Sequence, residues 1–347
     1  MKKALLLCLI LMAATFGFAQ QQLATLNHND SITVYYGASA LQQAHAAAVN
    51  GDIITLSPGT FDGEEITKAV TIRGAGMFPD TASRISNTVI LDNLTININN
   101  DSLYHLTMEG IYFSGEYIRY STIYNPQFIK CYFRTIEYTG NRTMLNSTFI
   151  NCIINYFTNE LFNNNICARN TMFVNSVILD NYHLYLGGTT LINCIARVNL
   201  SIANNFSIQN SIVYDSYSNI VSSVNGYSSF NSIGINTHNN YYIYYNTTGL
   251  ANHYLYNYGN FASVFKNFRG TYDEGITFEL LDTVAATILG NDGTQVGIYG
   301  GTMPFDPRVS GLNIRRLNVG QRTTADGKLP VDIEVVSDEA TNNEDNE

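Results

Sequence analysis

Apolar positions in the middle of the chain come in short bursts, and each burst is cut by the same interruption. Phe149–Ile154 reads FINCII: two apolar residues, an Asn, a small residue, then more apolar residues. FIKCYF at Phe128, FVNSVI at Phe173, LINCIA at Leu191, IQNSIV at Ile208 and SFNSIG at Ser229 have the same form. Taking the polar residue before each small one as a marker gives Glu109 (in TMEGIYF), Lys130, Asn151, Asn175, Asn193, Asn210 and Asn231. The intervals are 21, 21, 24, 18, 17 and 21 residues. A period near 20 marks a solenoid, whose repeats bury their apolar faces only by stacking.

Residue types choose between solenoids. A leucine-rich repeat wants Leu at fixed sites and a helical return arm. Here the apolar sites hold Ile, Val, Phe and Tyr, and the stretches between are rich in Asn, Ser, Thr and Gly. Those residues favour strands and turns. Runs such as VIL at 89–91, LTI at 94–96 and YIYY at 242–245 read as short strands. The pattern predicts an all-β fold, a parallel β-helix of roughly a dozen coils. Equivalent residues then stack as ladders about 4.8 Å apart. Asn suits a left-handed turn, with its amide bonded to the next coil. Cys131, Cys152, Ser176, Cys194, Ser211 and Ser232 follow the marker and fill a narrow interior. In-register parallel neighbours rarely offer disulfide geometry, so these thiols are expected to be free.

The ends break the pattern. In Ser39–Asn50, Leu41, Ala44, Ala48 and Val49 share one side of a helix, which Gly51-Asp52 stops before the strand IITL. Such a helix would cap the first coil. After Pro307, LNIRRLNV and LPVDIEVV alternate around an Asp326-Gly327 turn signal, predicting a small β-hairpin appendage over 308–337. Residues 338–347 hold five acids and no base, the composition of a disordered tail. The start, MKKALLLCLILMAATFGFAQ, has the basic, apolar and small-residue parts of a signal peptide over 1–19. The expectation is an exported protein, periplasmic, cell-surface or extracellular, with no transmembrane segment. Cys131, Cys152, Cys167 and Cys194 would survive cleavage.

Charge narrows the partners. Loss of Lys2 and Lys3 would take the formal charge from −10 to −12. Residues 102–260 hold six acids and six bases, whereas fourteen acids face five bases from Gly270 onward. No basic face for nucleic acid is expected.

At both ends the chain resembles a known family. GDIITLSPGTFDGEEITKAVTIRGAG (Gly51–Gly76) looks like the N-terminal cap and first coils of secreted right-handed parallel β-helix proteins of the pectin-lyase-like superfamily. GNDGTQVGIYGGTMPFDP (Gly290–Pro307) resembles the closing segment of β-helix proteins secreted by Bacteroidetes-type bacteria. The resemblance implies a right-handed β-helix over 30–307, a hand the crossover rule also favours. It leaves chemistry open, because this fold hosts lyases, hydrolases, esterases and non-catalytic adhesins.

Two sets of residues could carry function. Scarce charges in the middle are Lys130, Arg134, Arg119, Glu116 and Glu137. Glu109 and Lys130 share the marker phase, and Glu116 and Glu137 share a phase seven residues on. Lys130 or Arg134 could serve a polysaccharide lyase as base, with Arg119 neutralising the enolate, and the paired carboxylates could serve a glycosidase. Stacked opposite charges also make ordinary cross-strand pairs. There is no acidic cluster like the pectate-lyase Ca²⁺ site and no paired-Asp plus Gly-His-Gly pattern like that of polygalacturonases. The six histidines are dispersed, and no cofactor or metal is expected. The second set is aromatic. NNYYIYYNTTGLANHYLYNYGNF (Asn239–Phe261) offers Tyr241, Tyr242, Tyr244, Tyr245, Tyr254, Tyr256 and Tyr258 for sugar faces or a protein surface. The expectation is a non-catalytic surface for a polysaccharide or cell-surface component. The competing reading is a lyase or glycoside hydrolase of an acidic glycan.

Overall fold

The computed structural model describes residues 22–79, 85–98, 103–116, 118–120, 122–138, 144–159, 168–180, 186–197, 207–215, 228–230, 232–236, 250–251, 254–256, 260–272, 276–309, 312–319 and 331–337. Residues 1–19, Cys167 and the tail 338–347 lie outside them. The chain divides into two compact units, Met1–Pro307 and Arg308–Glu347.

The first unit is an all-β parallel solenoid. Successive coils add strands to a first sheet, from Ile53–Leu56 to Leu250–Ala251, and to a second, from Gly59–Phe61 to Tyr254–Tyr256. A third sheet pairs Ile123–Tyr124, Met144–Leu145, Ala168–Arg169 and Leu186–Gly187. Strands of the first sheet alternate: Phe128, Phe149, Phe173, Leu191 and Ile208 point inward and are buried, while their neighbours stay mostly half exposed. Phe149 stacks at 4.9 Å on both Phe128 and Phe173.

The coil turns explain the marker. Lys130, Asn151, Asn175, Asn193 and Asn210 all have φ between 45° and 53°. Asn adopts this left-handed conformation more readily than most residues. One marker is corrected. Ile129 pairs with Glu109, which sets Gly110 (φ 66°), not Glu109, level with Lys130. Glycine meets the left-handed requirement without strain, whereas Glu109 is an ordinary strand residue beside Arg73, 3.3 Å from its Nε.

A second left-handed ladder was not expected from the sequence. Asn125, Asn146, Asn170 and Gly188 turn the third sheet into the first, at φ 52°, 52°, 53° and 65°. Here the amides do join coil to coil: Asn146 Nδ2 donates to Asn125 Oδ1, and Asn170 Nδ2 to Asn146 Oδ1, each at 3.1 Å.

The small-residue ladder is wholly buried, and Cys131, Cys152 and Cys194 are free thiols, as the register predicted. Ser176 and Ser211 Oγ accept the backbone N–H groups of Cys152 and Cys194 at 3.0 and 2.9 Å. Burial pushes the Cys194 thiol up to about 12 and the Cys152 thiol well above its ordinary value. Native protein at pH 8 should therefore leave these three cysteines unlabelled by a maleimide, because all three are closed off from solvent and burial also disfavours the thiolate of Cys152 and Cys194. Labelling mapped by peptide mass should appear only in denaturant.

The stack begins earlier than residue 30. Strands β1 (Leu23–His28) and β2 (Ser31–Tyr36) form an antiparallel hairpin, and β1 continues onto β3 (Ile53–Leu56). Helix α1 (Ala40–Ala47) turns Ala40, Leu41, Ala44 and His45 inward, as a capping helix should.

At the other end the chain doubles back. The strap, residues 260–307, holds a 3₁₀ turn at Asn260–Ser263 and a helix at Asp282–Thr287. Phe261, Val264, Phe265, Phe268, Val296 and Ile298 form a second core with the outward residues of the second sheet. Those residues are Tyr132, Ile153, Val177, Ile195, Ile212 and Ile233, all buried. The strap is fastened to the marker ladder. Asn175 Nδ2 donates to the carbonyls of Ile298 and Gly300 at 2.8 and 2.7 Å. Asn210 exchanges two hydrogen bonds with Asn291.

The second unit is an antiparallel hairpin of Leu312–Val319 with Val331–Ser337, broken by a register shift between Ile314 and Arg316. Its connecting segment lies outside the described residues.

Candidate functional site

The charged residues are spread along the coils. The strand Tyr132–Tyr138 places Glu137 level with Arg119, whose Nε donates to Glu137 Oε2 at 2.6 Å. Glu137 is only 8% exposed, so this guanidinium offsets a costly desolvation of its carboxylate. Glu116 does not share that phase. Phe113 pairs with Phe133 and Ile118 with Ile136, so the earlier coil spends four residues where the next spends two. Glu116 falls in this excursion and is exposed. Arg134 is exposed on the opposing stretch and reaches the Ser114 carbonyl at 3.5 Å. Lys130 sits at the corner before the strand and is only 9% exposed. Arg119 and Glu137 are brought together, while Lys130 and Glu137 lie toward opposite ends of Tyr132–Tyr138.

Of the tyrosine-rich run, Tyr241, Tyr242, Tyr244, Tyr245 and Tyr258 lie outside the described residues. Tyr254 and Tyr256 belong to the last strand of the second sheet, where only the backbone is described.

A different aromatic site is present on the flank. Between strap and coils lies a cavity of about 440 Å³, within the usual range for small-ligand pockets. Phe78 and Ile153 line it from the coils, and Tyr272, Phe278, Tyr299 and Phe305 from the strap. Tyr272 and Phe278 stack with rings parallel to within 3° and 6.0 Å apart. Behind them Tyr112 stacks on Tyr132 at 4.4 Å, and Phe78 lies against both. Burial pushes the Tyr299 phenol above its ordinary value, opposed by a backbone hydrogen bond with Phe278. Rigid ring faces with few polar groups can accept a flat ligand face, apolar or edged with hydroxyls.

Sequence reasoning missed this site because most of its wall comes from the strap, which carries no repeat. A signal existed in the coils. Ile153-Ile154, Val177-Ile178-Leu179 and Ile212-Val213-Tyr214 are unbroken apolar runs, the mark of strands covered on both faces.

Among the described residues no group of three His, Cys, Asp or Glu side chains is placed to hold a metal, and no helix is long and apolar enough to cross a membrane. Fold and cavity together define the class: a parallel β-solenoid with a strapped, aromatic-lined flank. No family model, no curated protein and no solved structure matches the chain.

Proposed function

We propose that this is an exported, non-catalytic β-helix that presents a rigid surface to a glycan or other cell-surface component. The observation that carries the reading is the aromatic cavity on the strapped flank, where Tyr272, Phe278, Tyr299 and Phe305 meet Phe78 of the coils. A sugar presents one face of C–H groups to such rings while its hydroxyls stay at the wet edge. The parallel stack holds those rings at little conformational cost, which favours binding by a preformed site. The leader-like start supports export, and the pectin-lyase-like resemblance supports a glycan as the ligand class.

A glycan array on purified protein, followed by calorimetry on its hits, tests the reading. Phe305→Ala and Tyr272→Ala should each weaken binding about tenfold or more, with circular dichroism unchanged. Binding that survives both substitutions would remove the cavity from the proposal. An absorbance assay for unsaturated uronate should stay silent. Absorbance lost in Lys130→Ala would instead support the polysaccharide lyase reading.

A further inference from the structure

We infer that strand β2 is a self-association edge, and that two copies of this chain join through it by antiparallel pairing centred on Val34. Among the described residues β2 is the end strand of the first sheet, paired with β1 on one side and with no strand on the other. Natural edge strands are commonly guarded by Lys, Pro, a bulge or a covering segment. Residues 31–36 read SITVYY, with no charge and no Pro, and the pairing with β1 runs without a shift.

Two independent alternations coincide on this edge. The hairpin turns through Asn29 and Asp30, both with positive φ (48° and 62°), as in a two-residue primed turn. In such a hairpin the residues closing the turn, His28 and Ser31, are a hydrogen-bonded pair. The backbone groups of Ser31, Thr33 and Tyr35 then face β1. The Gly37 N–H, which bonds the Gln22 carbonyl at 2.8 Å, continues this odd-numbered series. Backbone groups of Ile32, Val34 and Tyr36 consequently point outward. The same three residues carry the exposed apolar side chains, at 70%, 39% and 56%.

Antiparallel pairing about Val34 uses both alternations at once. It sets Val34 against Val34 of the second copy and Ile32 against Tyr36 of the second copy, on either side of a two-fold axis. All are hydrogen-bonded pairs, and the flanking ones are aromatic on β-branched, a favourable cross-strand combination. A register centred on Thr33 would set Ile32 opposite Val34 and leave Tyr36 outside. The local charge count allows the same contact. Between Gln22 and Asn50, Asp30 is the one Asp, Glu, Lys or Arg. The edge itself therefore brings little like charge against a second copy. Because the contact is isologous, it closes at two copies instead of propagating into a filament.

Sedimentation velocity over a concentration series tests the proposal, with circular dichroism as the folding control. The purified full chain should show a monomer–dimer equilibrium. Val34→Lys sets two ammonium groups face to face and should raise the dissociation constant about 100-fold. Ile32→Lys alone should weaken the dimer, and Ile32→Lys combined with Tyr36→Glu should restore it, because each Lys then faces a Glu across the interface. A monomer at all concentrations, an open polymer, a dimer indifferent to Val34→Lys, or no restoration in the double variant would each overturn the proposal.

Discussion

Replacing Asn175 with valine is expected to lower the unfolding free energy by about 2–5 kcal/mol, the sum of two separable losses. The first is conformational. Asn175 has φ 45°, and a β-branched residue there costs roughly 1–2 kcal/mol that Asn largely avoids. The second is the anchorage of the strap. Asn175 Nδ2 donates to the carbonyls of Ile298 and Gly300, and all of this lies buried. Ile298 keeps the Phe305 N–H at 2.7 Å, so Gly300 is the carbonyl that suffers. A buried acceptor deprived of its donor costs about 1–3 kcal/mol. Asn175→Gly separates the two losses, since it relieves the backbone and removes only the bonds. It should cost about half as much in the same urea titration. The valine variant should also bind a fluorescent apolar dye, because a loosened strap uncovers Ile153, Val177 and Ile195. A valine variant within about 1 kcal/mol of the parent would mean that the marker ladder does not fasten the strap.

That anchorage shows which parts of the structure a single sequence exposes. The coil repeat was legible because each turn needs a residue that tolerates positive φ, and Asn at 151, 175, 193 and 210 supplies it at regular spacing. The cap was legible from the helical apolar pattern that ends at Gly51. Glu109 misled, since a rule that looked for a polar residue before a small one overlooked that Gly110 itself meets the φ requirement. Glu116 misled for a related reason: the excursion between Phe113 and Ile118 shifts the register by two residues, and constant spacing cannot reveal it. The flank was hardest to read. Asn175 does two jobs, and the sequence displays only the turn. Its bonds to Ile298 and Gly300 span more than 120 residues and leave no periodic trace.

Phe149→Ala should produce a loss of similar size, about 3–5 kcal/mol, by a different route. Phe149 is fully buried at the centre of the interior stack. Its ring lies 4.9 Å from Phe128 and from Phe173, with Phe133 and Phe157 edge-on at 5.9 and 6.3 Å. Truncation removes contacts with the coil before, the coil after and its own coil. The backbone ladders above and below, fixed by Asn146, Asn151 and Asn175, limit how far the walls can close on the cavity. In a solenoid each coil touches only its neighbours, so the change acts on coupling as well as on total stability. The urea transition should broaden, with a smaller slope, as the two sides of the break unfold less in concert. Met172→Ala is the matched control, because Met172 lies on the adjacent strand and points outward at 38% exposure. That substitution should stay within about 0.5 kcal/mol and keep the parent slope. Equal losses from Phe149→Ala and Met172→Ala would show that the phenylalanine stack is not what couples one coil to the next.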